Sequence, residues 1–215
     1  MTRTGVGLLV LAFASVLVCA QDRAWPNIPV ASKKDAEKLH KNRFAIEDAV
    51  TIDDKKWIRT THDIEIAYPI KKDAIEALLL DFDTYTQFMP YLEELQVLSR
   101  GPGTLTARHK FVIRILSYAY ITEYVQKYTW FTENGNLYME WTLLSSNGTL
   151  KLADGGCAVN SVFANGEEYT RIRHRNDTLV RKDFGVQEAV MRMVGTSEVE
   201  NILKTVYKEA KKRAK

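Results

Sequence analysis

The sequence predicts an α+β domain. A curved antiparallel sheet of about seven strands is wrapped on a long C-terminal helix, with two short helices after the first strand. Three observations carry this. An alternating run at 57–70 leads directly into two helical stretches that close at Met89-Pro90. Six further alternating segments follow with no helix between them, which excludes parallel crossovers and leaves hairpin pairing. The chain then ends on one long segment with an apolar stripe, about 184–212, the natural cover for a sheet that curls under its own twist.

Taken in order, residues 1–20 have the layout of a signal peptide. Arg3 is the basic start, 6–18 the uncharged apolar run, and Val18-Cys19-Ala20 the small-residue end before Gln21. The run is short for a bilayer span, so an uncleaved anchor fits less well. Lipid attachment at Cys19 also fits less well, because Val18 is not the small residue such processing wants. Export to a periplasmic or extracellular compartment is therefore expected. Cys157 is then the one cysteine left, with no disulfide framework, and is read as a buried strand residue.

Residues 21–56 read as an N-terminal arm and 57–215 as the domain. In the arm, Trp25-Pro-Asn-Ile-Pro29 is an extended lead, and Ser32-Lys-Lys-Asp35 is a capping-box start to a short polar helix through about Phe44. The first domain strand turns Ile58, Thr60, His62, Ile64, Ile66 and Tyr68 one way and Arg59, Thr61, Asp63 and Glu65 the other. Ile75, Leu78, Leu79 and Phe82 then recur at helical spacing, and a second short helix carries Tyr85, Phe88 and Leu92. Strands follow from Leu95, from Thr106 and from Tyr118. Glu133-Asn-Gly-Asn136 is a hairpin signal, and Gly155-Gly156 suggests a bulge. The last strand is read as 169–174. Gly195-Thr-Ser is a weak point in the closing helix.

The run Tyr68-Pro-Ile-Lys-Lys-Asp-Ala-Ile-Glu-Ala-Leu-Leu-Leu-Asp-Phe-Asp-Thr-Tyr-Thr-Gln-Phe-Met-Pro90 resembles the opening of the START-like (SRPBCC) helix-grip superfamily, related in shape to Bet v 1. It is nearest the branch of coenzyme Q-binding proteins and polyketide cyclase/dehydrase and lipid-transport proteins. The residues concerned are Asp81-Phe82, Tyr85 and Phe88-Met89-Pro90, with Gly148-Thr-Leu-Lys-Leu152 and Thr170-Arg-Ile172 downstream. Thr86 stands where that family often has proline. The resemblance implies a protein that binds or transports a hydrophobic small molecule, lipid, quinone or isoprenoid-like, in an internal cavity; with the signal-peptide layout and no catalytic motif, the expectation is an exported, non-catalytic one. Its alternative is a cyclase/dehydratase-type enzyme acting on an aromatic or polyketide-like substrate there.

The inward set expected to line that cavity is Tyr85, Phe88, Phe111, Ile113, Tyr120, Tyr124, Trp141, Leu143, Met191 and Val194, with tyrosine hydroxyls to orient a head group. An enzyme would need an acid or base there, for which His109, Tyr120 and Tyr124 are the candidates; no catalytic motif is present. His62, His109 and His174 share the inward face but come from separate strands without ligand spacing, so no metal and no cofactor is expected. Lys+Arg 30 against Asp+Glu 27 excludes a polyanion binder, and no nucleic-acid partner is expected. The basic tail, Lys204 to Lys215, is read as a solvated helix end that can touch a membrane surface transiently. Asn147-Gly-Thr149 and Asn176-Asp-Thr178 have the form of glycosylation sequons.

Overall fold

The computed structural model describes residues 32–39, 41–47, 50–115, 118–182 and 185–215. The expected signal peptide and the lead to residue 31 lie outside them. The element order is α1 (Lys33–Lys38), β1 (Lys41–Ile46), β2 (Val50–Ile52), β3 (Lys55–Tyr68), α2 (Lys72–Leu80), a 3-10 turn (Phe82–Gln87), β4 (Leu92–Gly101), β5 (Thr104–Ile115), β6 (Tyr118–Glu133), β7 (Asn136–Ser146), β8 (Leu150–Ala164), β9 (Glu167–Arg181) and α3 (Gly185–Arg213).

Every pairing is antiparallel, and the sheet runs β1-β3-β9-β8-β7-β6-β5-β4, with β2 pairing separately to β3. Each hairpin from β4 onward steps one strand across the sheet until β9 arrives beside β3. The β6–β7 turn uses Asn134 (φ 51°) and Gly135 (φ 74°), the left-handed pair that a two-residue hairpin requires.

Several expectations are corrected. The sheet has nine strands among the described residues, not about seven, because the arm adds β1 and β2 to the edge of β3. The helix expected through about Phe44 keeps its capping box, with Asp35 N–H donating to Ser32 Oγ, but ends at Lys38. Residues 41–46 instead satisfy the exposed backbone groups of β3, which an edge strand otherwise leaves open. Leu92 opens β4 rather than continuing a helix. Gly155-Gly156 makes no bulge: both pair in regular register with β7 and β9, and the irregularities fall at Leu92/Glu94, Val97/Ser99, Val125/Gln126 and Leu150/Leu152. β9 runs on past His174 to Arg181. α3 passes through Gly195 unbroken.

The core lies between the sheet and α3. Ile64 of β3, Val159 of β8 and Ile172 of β9 pack with Ile75 and Leu78 of α2, Phe82, and Leu203 and Val206 of α3, all essentially without solvent contact. Tyr207 of α3 stacks on Tyr68 at 4.5 Å. The far end of α3 is pinned to the α2 junction, where Arg213 reaches Asp81 at 2.7 Å and donates to Thr84 Oγ1 at 2.9 Å. On the outer face, charged residues of β3 and β9 interleave. Arg59 forks onto Asp177 at 2.9 and 2.7 Å, Arg173 onto Asp63 at 3.0 and 2.9 Å, and Arg171 onto Glu65. α1 covers part of that face, its Ala36 packing with Ala164 and Tyr169.

Candidate functional site

Register decides which side chains share the α3 side of the sheet. The cross-strand pairs Ile64–His174, Cys157–His174, Trp141–Gly155, Tyr128–Trp141 and His109–Tyr124 run across β3, β9, β8, β7, β6 and β5. Near α2 the inward residues Ile64, Ile66, Tyr68, Met139, Val159 and Ile172 are sealed, while Trp130 is half-buried and Phe163, at the end of β8, is exposed. Toward the other end Thr60, His62, Phe111, Ile113, Tyr120, Tyr124, Trp141, Leu143, His174 and Asn176 are only half-buried, among the buried Ile58, His109, Thr122 and Gln126. The concave face thus grades from a solid core into a partly exposed aromatic and polar zone.

Tyr128 stands at the boundary. Its ring meets Phe82 of the packed half edge-on at 4.8 Å and lies 6.4 Å from Trp141. Its hydroxyl donates to Gln126 Oε1 at 2.8 Å, and Gln126 Nε2–H donates to the Ala153 carbonyl at 2.7 Å. With that hydroxyl proton committed, His109 Nε2, 3.1 Å away, carries the proton donated to the Tyr128 oxygen. Nδ1 of His109 is left as an acceptor. Across the zone, Trp141 Nε1–H donates to Asn176 Oδ1 at 3.1 Å, and Asn176 Nδ2–H to Thr178 Oγ1 at 2.8 Å. Phe111, Tyr124 and His109 stack, the ring of Tyr124 lying 5.0 Å from His109 and 5.8 Å from Phe111, each within 14° of parallel.

Of the expected lining residues, Phe111, Ile113, Tyr120, Tyr124, Trp141 and Leu143 lie together on this half-buried zone. Tyr85 and Phe88 sit in the packed half. Tyr85 stacks on Phe82 at 4.9 Å, meets Phe88 edge-on at 5.6 Å, and donates its hydroxyl proton to the Leu79 carbonyl. Met191 and Val194 are on α3 where the side chains fall outside the described residues. Gln126 and Asn176 were missed as site residues. Gln126 has the same alternation phase as Tyr124 and Tyr128, which is signal enough to find it. Asn176 was hidden by ending the last strand at His174, and its inward position argues against the sequon there. The three histidines do not converge, since β5 and β9 are four strands apart, on the order of 19 Å.

Burial sets the protonation of the zone. It holds His109 down at about 4, and it holds His174 at about 4 with help from the charge of nearby His62. Both imidazoles are neutral at pH 7. Burial also raises the Tyr124 and Tyr128 hydroxyls and pushes the Cys157 thiol up to about 12, which makes that thiol inert as a nucleophile. A consequence for stability follows with a definite sign. The unfolded imidazole takes up a proton near 6.5 and the native one resists until about 4, so stability is complete above pH 6.5 and falls as pH drops between those values. His109→Phe should remove on the order of 3 kcal/mol of the loss between pH 7 and pH 4. Urea unfolding at the two pH values measures it, and an unchanged pH slope in the variant would refute the assignment.

No protein-family model and no curated protein matches the chain. Solved structures do. The Zhui aromatase/cyclase from Streptomyces sp. R1128 superposes with a TM-score of 0.56 at 16% identity, covering 73% of this chain and 96% of that one. The STAR-related lipid transfer protein from Xanthomonas axonopodis gives 0.55 at 10% identity, with 78% and 98% covered. Human STARD10 gives 0.56 at 7% identity, with 79% and 73% covered.

The fold is START-like. At these identities the likeness carries the fold alone.

Proposed function

We propose that this START-like chain binds and carries a hydrophobic small molecule, lipid, quinone or isoprenoid-like, against the half-buried zone of its concave face, without catalysis. The carrying observation is the gradient of that face. Inward-pointing Phe111, Tyr124, Trp141 and Leu143 keep solvent contact on the side of the sheet whose residues near α2 form the sealed core. A ligand covering them would gain roughly 25 cal/mol per Å² of apolar surface removed from water. The names of two structural neighbours, a STAR-related lipid transfer protein and an aromatase/cyclase, are compatible with such a ligand.

The proposal includes export through residues 1–20 to a periplasmic or extracellular compartment. It also includes transient contact with a membrane surface through the lysines of the tail, Lys204, Lys208, Lys211, Lys212 and Lys215, all of them exposed. Organic extraction and mass spectrometry of protein purified from its native compartment test the reading. A co-purifying hydrophobic molecule is expected, on a chain beginning at Gln21. Reproducibly empty protein that takes up no fluorescent lipid would overturn it.

A second reading is favoured by one observation, the neutral His109 hydrogen-bonded to Tyr128 within the zone. It is a cyclase/dehydratase-type enzyme on an aromatic or polyketide-like substrate, with His109 as general base. His109→Ala would then abolish turnover and leave substrate binding within a few-fold; equal loss of both would leave it a binding residue.

A further inference from the structure

The ladder between β7 and β8 stops before the strands do. Its residue pairs run from Leu137↔Val159 to Trp141↔Gly155, and among the described residues none follows, although β7 continues to Ser146 and β8 begins at Leu150. Continued, that register would set Leu143 opposite Ala153 and Leu144 opposite Leu152. Instead Leu143 N–H donates to the Asp154 carboxylate at 2.8 Å, and the Ala153 carbonyl accepts from Gln126 Nε2–H at 2.7 Å. Each strand meanwhile keeps its other neighbour. β7 stays on β6 as far as Tyr124↔Ser146, and β8 stays on β9 as far as Leu150↔Val180. Leu144 and Lys151, the extra residues of those two ladders, both lie along the parting.

An interior pair of strands ordinarily spends its facing N–H and C=O groups on one another. Here side chains take that place, so the sheet is joined at this end as two halves, β1-β3-β9-β8 and β7-β6-β5-β4. Asp154 bridges the seam from the outer face, where it sits opposite Asp177, and Gln126 bridges it from the inner face. At the hairpin tip Ser146 Oγ donates to the Leu150 carbonyl at 2.6 Å. The seam borders the half-buried zone, with Trp141 and Leu143 on its β7 side. Gln126 is joined onward through Tyr128 to His109, so a hydrogen-bonded chain runs from inside the zone to the backbone of β8. Parting a regular ladder breaks several backbone bonds together, whereas parting this one breaks a few side-chain bonds that water can replace.

We infer that the seam between β7 and β8 is a gate, at which the two halves of the sheet part to admit the hydrophobic molecule to the zone, with Asp154 and Gln126 as its clasps. This rests on the proposed function and deepens it, by naming the route into the same site and the residues that control passage.

The test uses the chain from Gln21 and N-phenyl-1-naphthylamine, an uncharged fluorophore that brightens on leaving water, mixed by stopped flow. Asp154→Leu removes the outer clasp without touching the zone. It should speed uptake and release alike by about tenfold, the factor one net hydrogen bond is worth, and leave Kd within about twofold. Asp154→Asn keeps an acceptor oxygen for Leu143 N–H and should leave both rates near those of the unaltered chain. A purely structural role would weaken binding and would not speed both steps at constant Kd. Leu144→Cys/Leu152→Cys places two thiols opposite one another across the seam, away from the buried Cys157. The oxidised form should take up the probe at least about tenfold more slowly, and reduction should restore the rate. Unchanged rates in Asp154→Leu, or equal uptake by the oxidised and reduced double variant, would overturn the gate and leave the hydrophobic-carrier reading standing. If the disulfide does not form, the two Asp154 variants decide alone. Binding of no probe by any form, together with an empty native protein, would overturn both.

Discussion

Glu65→Ala should lower stability by about 3–5 kcal/mol, the largest loss expected from any single surface-to-core charge in this protein. Glu65 and Arg171 lie on the outer face of β3 and β9, where both are buried, with side chains 9% and 3% exposed. Arg171 Nε–H donates to Glu65 Oε1 at 2.6 Å. Removing the carboxylate takes one charged partner away from a guanidinium that cannot shed its proton, in a site that excludes water. For a chain of this size about 4 kcal/mol corresponds to a fall in melting temperature of roughly 10 °C. The double variant Glu65→Leu/Arg171→Met should recover most of that loss, because a well-packed apolar pair replaces the buried ions without an orphaned charge. Thermal unfolding of the three proteins decides it. If the double variant is as unstable as Glu65→Ala, the cost comes from packing under α1 and not from the lost ion pair.

Gly155→Ala is expected to cost about 3 kcal/mol and to damage the site at the same time. A Cβ at Gly155 would stand 2.3 Å from the Arg175 carbonyl oxygen and 2.7 Å from Trp141 Cζ2. The first contact is with backbone of the neighbouring strand and cannot yield without moving β9. The second pushes the indole that donates to Asn176 and faces His174. Urea midpoint and tryptophan emission should therefore shift together, and ligand affinity should fall with them. Gly166→Ala is the control. Its φ of +81° makes the substitution strained, but nothing lies within 4 Å, so a loss of only about 1 kcal/mol is expected. Equal losses at the two glycines would remove close approach as the reason for Gly155.

Gly155 also shows where sequence reasoning stops. A pair of glycines in a strand is a fair sign of a bulge, yet the register there is regular. The glycine is needed because an indole from β7 lies across it, and only the pairing of β7 with β8 brings Trp141 there. The arm fails in the same way. Ser32 and Asp35 form a local capping box that four residues suffice to specify. What residues 41–46 do next depends on an unpaired edge of β3 some twenty residues on, which no local pattern reveals. Gly195 weakened the expected helix, but α3 continues through it, its C-terminal half held by the burial of Leu203 and Val206 and by the Arg213–Asp81 pair.

What the chain's own pattern determined was alternation, and alternation was sufficient for the fold class. Period-two runs fixed which side chains of β3, β5 and β6 face inward, because successive side chains on a strand must point to opposite faces. Thus Phe111, Ile113, Tyr120, Tyr124, Trp141 and Leu143 were legible as one face before any strand was placed. Tertiary structure decided how far along that face the core is sealed. Tyr85 and Phe88 belong to the packed half and Asn176 to the open one, because the sealed and half-buried ends are set by where α2 and the C-terminal half of α3 dock. It also decided which polar atoms find partners. Gln126, Tyr128 and His109 complete one another across adjacent strands, while Thr122 and His174 do not. Hydrogen-bond satisfaction depends on neighbours distant in sequence, which alternation along one strand cannot specify.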